Sequence, residues 1–75
     1  MDKSSINSNI LIRVNGEDKI MPENISVLML LENYKLNTNR VVIELNKAIL
    51  EKNKYESTLL SKGDELEIVT FVGGG

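Results

Sequence analysis

Apolar residues alternate near both ends of this chain and recur every three to four residues in its middle. Ile10, Ile12 and Val14 alternate with Leu11 and Arg13, the period of a strand whose successive side chains point to opposite faces. Asn15-Gly16 comes next. Both residue types tolerate positive φ, so the pair predicts a tight hairpin. A second strand runs from about Glu17 to Met21 and stops at Pro22, which has no N–H to give to a ladder. The period then changes. In ISVLMLLENYKL, Val27, Leu30, Leu31 and Tyr34 fall at i, i+3, i+4 and i+7, one face of the chain's only predicted helix. Ser26 is its N-cap, Ile25 and Leu30 form a hydrophobic staple across the cap, and Asn37-Thr38-Asn39 ends the segment.

Alternation returns in RVVIELN, with Val41, Ile43 and Leu45 on one face and Val42 and Glu44 on the other. A turn at Asn46-Lys47 leads to a short strand, Ala48 to Leu50. EKNKYESTLL reads as irregular or as a single helical turn, and Lys62-Gly63-Asp64 as a turn. In the last strand, ELEIVTFV, Leu66 and Ile68 share one face, and Val69 and Phe71 the other. The order is ββαββ, with room for one more strand. In so short a chain the two apolar faces are buried only if the helix covers one side of a small sheet. The expectation is an α+β roll of the ubiquitin-like β-grasp kind, a mixed sheet of four to five strands on one helix. Residues 1–9 form a loose N-terminal extension, 10–72 the domain and 73–75 a flexible glycine tail.

The helix has one apolar stripe, which assigns Leu66 and Ile68 to the core. Val69 and Phe71 then join Val42 and Leu11 on the uncovered sheet face, and a contiguous apolar patch there marks a docking surface. Leu28 and Met29 lie off the helix stripe and read as filling around its ends. Tyr34 and Tyr55 read as packing residues with wet hydroxyls. Asp64, Glu65 and Glu67 are a candidate charged rim near the tail, able to steer a basic partner.

Composition narrows the function by exclusion. Among 75 residues there is no cysteine and no histidine. That removes thiol nucleophiles, thiolate metal sites, the commonest metal ligand and the commonest general base. A net charge of −2 lacks the basic excess of a nucleic-acid binder. The start, MDKSSINS, is polar and not a signal peptide, and the longest apolar run, Val27 to Leu31, is far too short to span a membrane. A soluble cytoplasmic domain, monomeric when free, is expected. The chemistry left to such a chain is its FVGGG end. On residues alone, three glycines are as much a frayed terminus as a functional one.

Four stretches together resemble the ThiS family of sulfur-carrier proteins of thiamine biosynthesis: VNGE at Val14 to Glu17, ISVLMLLENYKL, VVIELNKAIL and KGDELEIVTFVGGG. The resemblance runs from about Ile10 to Gly75, and the last stretch is its most specific part. Lys47 departs from the pattern, because the family often has glycine there, and this bears on the local turn. What the resemblance implies is a protein co-substrate with no catalysis and no bound cofactor of its own. A partner adenylyltransferase of the ubiquitin-activating-enzyme type uses ATP and Mg²⁺ to adenylate the Gly75 carboxylate. Sulfur, ultimately from a cysteine desulfurase, displaces AMP, and thiazole synthase consumes the resulting thiocarboxylate. Gly73 and Gly74 thread the partner's active site. Such a site must exclude water from the adenylate, so only a thin chain can enter, and five residues from Phe71 reach at most roughly 17 Å. The small subunit of molybdopterin synthase shares fold and terminal glycines, but usually with prolines before the tail, which TFVGGG lacks. A lysine-conjugated ubiquitin-like modifier and a β-grasp interaction domain with an inert tail are further readings.

Overall fold

The computed structural model describes residues 8–71 of the chain. Its first two strands, β1 (Asn9–Val14) and β2 (Glu17–Pro22), pair antiparallel from Asn9↔Pro22 to Val14↔Glu17. Between them Asn15 and Gly16 have φ of 51° and 82°, the paired positive values of a type I′ turn, whose twist matches the strands it joins. Two sequence expectations shift by one residue. Asn9 already belongs to β1 instead of to the extension. Pro22 is the last residue of β2 instead of its stop. Alternation along the ladder turns the Pro22 nitrogen away from β1, so its missing N–H costs no bond on this edge strand.

The helix α1 spans Val27–Asn33, and the Ser26 hydroxyl accepts the Met29 N–H at 3.0 Å, the cap the sequence predicts. It ends before the expected Leu36. Lys35 takes φ 59°, its N–H donates to Glu32 C=O at 2.9 Å, and the Leu36 N–H donates to Leu31 C=O at 3.0 Å. These two bonds are a Schellman closure with lysine in the left-handed position where glycine is usual. A 3-10 turn over Thr38–Arg40 then feeds β3 (Val41–Leu45), which pairs antiparallel with β4 (Ala48–Leu50). Asn46 and Lys47 between them have φ of 53° and 74°. This hairpin copies the first, except that lysine replaces its glycine.

The last strand, β5 (Glu65–Thr70), lies in the middle of the sheet. The order is β2-β1-β5-β3-β4, with β5 parallel to β1 and antiparallel to β3. The helix covers one side. Ile12, Val27, Leu30, Leu31, Ile43 and Leu66 are each at most 1% exposed, and each contributes roughly 1.5–3 kcal/mol by leaving water. Ile25 joins them at 2%, as the staple requires. The 51–64 crossover closes the end of the roll. It contains a 3-10 turn at Lys52–Lys54, buries Tyr55 and Leu60, and binds the helix entrance through Val27 N–H to Thr58 C=O at 2.9 Å and Leu60 N–H to Ile25 C=O at 2.8 Å. Leu28 packs half-buried on the core, whereas Met29 is exposed. The tyrosines differ from expectation. The Tyr34 hydroxyl is buried with no hydrogen-bond partner among the described residues. Tyr55 is enclosed as well, and burial pushes its phenol above the ordinary pKa.

Candidate functional site

The side of the sheet opposite α1 carries the residues singled out above. Strand alternation places Leu66 and Ile68 in the core, and leaves Val69 57% and Phe71 47% exposed. Val42 lies directly across from Val69 in the β3–β5 ladder and is exposed too. Phe71 is past the last residue of β5, yet its N–H donates to Arg40 C=O at 3.0 Å. That bond carries the ladder one step further. Val42, Val69 and Phe71 therefore sit together where the chain leaves the sheet, with Phe71 four positions before Gly75. Val72 and the glycines 73–75 lie outside the described residues.

Leu11 belongs to the same face but not to the same patch. The Gly63 N–H donates to Leu11 C=O at 2.8 Å, so Leu11 is level with residue 63. Residue 69 is six positions further along, about 20 Å at the strand rise. The neighbour of Leu11 is Ile20, its cross-strand partner, 62% exposed. The open face thus has two apolar ends and a middle that is charged except at the β4 edge, where Ile49 lies exposed across from Glu44. Arg13 pairs with Asp18 at 3.3 Å and lies beside Glu65 in the β1–β5 ladder. Glu44 faces Glu67 directly across β3 and β5. Two carboxylates opposite one another in a ladder repel, and a cation from outside relieves them.

Of the three acids in the predicted rim, Glu65 and Glu67 point to the open face. Asp64 does not, because the turn consumes its carboxylate. One oxygen accepts the Ser61 N–H at 2.8 Å and the other accepts Asn46 Nδ2 at 3.1 Å. Glu44 and Ile20 were missed. Each belongs to this face by period, but only the register shows what stands opposite. Asn15 was read merely as a turn former, although its Oδ1 accepts the Ile68 N–H at 2.7 Å. Among the described residues no group of three or more His, Cys, Asp or Glu is placed to hold a metal. No described helix is long and apolar enough to cross a membrane. Chemically, the described part of the face can bind an apolar, basic-rimmed protein surface and can deliver whatever follows Phe71 to it.

Comparison with known proteins gives a consistent set of likenesses. The model of the ThiS family matches residues 7–75. A Pyropia yezoensis protein called uncharacterized protein ycf40 is 43% identical over 70 residues, covering 93% of this chain and 99% of that one. The sulfur carrier protein ThiS of Bacillus subtilis (strain 168) is 38% identical over 66 residues, covering 87% of this chain and all of the relative. A thiazole synthase of Paramagnetospirillum magneticum is 36% identical over 62 residues, which are 83% of this chain but only 19% of that much longer protein. Among solved structures, the thiamine biosynthesis protein ThiS from Geobacter metallireducens superposes with a TM-score of 0.76 at 32% identity, over 88% of this chain and all of that one.

Proposed function

Because this chain belongs to the ThiS family, the sulfur carriers of thiamine biosynthesis, we propose that it carries sulfur as a thiocarboxylate on Gly75. The family match, which extends through Gly75, is the observation that carries this reading. An adenylyltransferase joins the Gly75 carboxylate to AMP from ATP and releases pyrophosphate. The outer sulfur of a persulfide, formed ultimately by a cysteine desulfurase, then attacks the acyl carbon and expels AMP. A thiol of the partner cleaves the S–S bond of the resulting acyl disulfide, leaving a disulfide behind and the thiocarboxylate on the carrier. One carboxyl oxygen has been exchanged for sulfur, and the carrier itself catalyses none of these steps. Gly73 and Gly74 have no Cβ, so partner backbone can close on them.

Thiazole synthase is the proposed acceptor of the sulfur. Support comes from the thiazole synthase whose sequence includes a stretch similar to this chain. Val42, Val69 and Phe71 are the proposed docking patch, with Glu67 and Glu44 attracting a basic rim. An apolar cluster beside acids suits an interface in which aromatic and apolar anchors hold and charge speeds encounter.

Intact-mass measurement tests the chemistry. Given ATP, Mg²⁺, a cognate adenylyltransferase and a sulfur source, the protein should gain the mass of one oxygen replaced by sulfur, and fragmentation should place it at Gly75. One residue added after Gly75 should abolish the change, because the acyl carbon then lies in a peptide bond. Full conversion of the extended protein would overturn the reading.

A further inference from the structure

The central strand β5 is paired on both sides for only part of its length. On the β3 side the ladder runs from Leu66↔Leu45 to Thr70↔Val41 and continues through Phe71 N–H to Arg40 C=O. On the β1 side the register ends at Arg13↔Glu65 and Val14↔Leu66. There the Arg13 N–H donates to Asp64 C=O and the Asn15 N–H to Leu66 C=O, so the even-numbered residues of β5 face β1. The Ile68 N–H is next in line and is taken by the Asn15 side chain at 2.7 Å. Beyond it β1 has already turned back into β2. Among the described residues, no hydrogen bond engages Ile68 C=O, Thr70 N–H or Thr70 C=O on this side.

We propose that this half-edge, Ile68 to Thr70, receives an extended backbone segment of the adenylating partner, which lengthens the sheet by one strand beside the chain's exit. The inference rests on the sulfur-carrier reading and adds the contact that aims the tail. Unpaired N–H and C=O groups on a strand edge are a template for another strand, and main-chain bonds of this kind give affinity with little demand on side chains. Continuity identifies the guest. The slot borders Val69 and Phe71 in the proposed patch, so a partner seated on that patch has its backbone within reach. Asn15 closes the slot at its inner end and sets where the added strand can start. A guest strand also fixes the direction in which the chain leaves Phe71, and placement at the reacting carbon is where orientation governs rate.

Proline at position 70 separates this contact from the fold. Among the described residues the Thr70 N–H serves no bond, whereas the Phe71 N–H donates to Arg40 C=O. Thr70→Pro should therefore keep its thermal midpoint close to that of the parent protein, and Phe71→Pro should not. For Thr70→Pro, we expect affinity for the cognate adenylyltransferase to fall about tenfold or more, the scale of one or two hydrogen bonds. Amide exchange reads the same contact without mutation. In the free protein the Thr70 amide should exchange fast and the Ile68 amide slowly; in the complex the Thr70 amide should become protected. Unchanged affinity of Thr70→Pro, or a Thr70 amide equally fast in the complex, overturns the edge contact while thiocarboxylate formation on the parent protein still stands. If the parent protein itself gains no sulfur, the carrier reading falls and this inference falls with it.

Discussion

Asn15 and Ile68 stand 53 positions apart, yet the Asn15 side-chain oxygen accepts the Ile68 amide at 2.7 Å. One side chain at the tip of the first hairpin thereby does the work of a missing strand residue. Asn15→Gly keeps a residue that tolerates φ 51° and removes the acceptor. An unsatisfied, part-buried N–H costs ~1–3 kcal/mol. Relief of the left-handed backbone returns part of that, so a net loss of ~1 kcal/mol is expected in urea unfolding. Asn15→Asp retains the acceptor and should stay near the parent. Faster exchange of the Ile68 amide in the glycine variant alone would identify the bond as the cause.

Phe71 should matter more to partners than to stability. It is 47% exposed, so its truncation to alanine should cost under ~1 kcal/mol in unfolding, against the ~3–5 kcal/mol of a core phenylalanine. Affinity for the adenylyltransferase should fall by at least ~2 kcal/mol, the scale of an aromatic anchor in an interface. A large stability loss with partner affinity intact would move Phe71 into the core.

Two lysines hold backbone positions that suit glycine. Lys35 closes α1 at φ 59°, and Lys47 completes the β3–β4 turn at φ 74°. A side chain in the left-handed region costs roughly 1–2 kcal/mol, which glycine avoids, though glycine gives back part of it through the entropy of the unfolded chain. Lys35→Gly and Lys47→Gly should each raise stability by ~0.5–1 kcal/mol. The double variant should show the sum, as expected of substitutions in two separate turns that act independently. A lower thermal midpoint for Lys47→Gly would mean that its side chain stabilises the hairpin in some other way.

Alkaline stability should depend on Tyr55. Burial favours its neutral phenol and raises its pKa in the folded protein above the ordinary 10.0. That contribution is fully present below the unfolded pKa and is lost as pH climbs past it toward the folded value. Stability should therefore decline above about pH 10, and Tyr55→Phe should flatten the decline. Parallel pH profiles for parent and variant would remove Tyr55 from the account.

The elements that depend on local rules were legible in the sequence. The Ser26 cap, the Asn15-Gly16 turn, the Val27–Leu30–Leu31 stripe and the inward assignment of Leu66 and Ile68 follow from period and from backbone chemistry within a few residues. What the sequence concealed depends on register. Leu11 and Val69 share a face by alternation, but their ~20 Å separation along the strand exists only because β1 pairs with β5 at residues 13 and 14. Likewise the facing of Glu44 and Glu67, and the removal of Asp64 from the rim by Ser61 and Asn46, require knowing what lies across a ladder. The early helix end was hidden for another reason. Lys35 carries no residue-type signal for the left-handed conformation that closes α1.

Because β5 occupies the middle of the sheet, the last of the sheet's strands to emerge from the ribosome is the one that joins the β1–β2 hairpin to β3 and β4. Until it arrives, the two halves have no shared ladder and the core lacks Leu66 and Ile68. Joining the ends of the sequence early is also entropically slow. A nascent or truncated chain therefore cannot display Val69 and Phe71 beside Val42, and a partner that grips this patch reads, in the same act, that synthesis has reached the strand from which the tail departs.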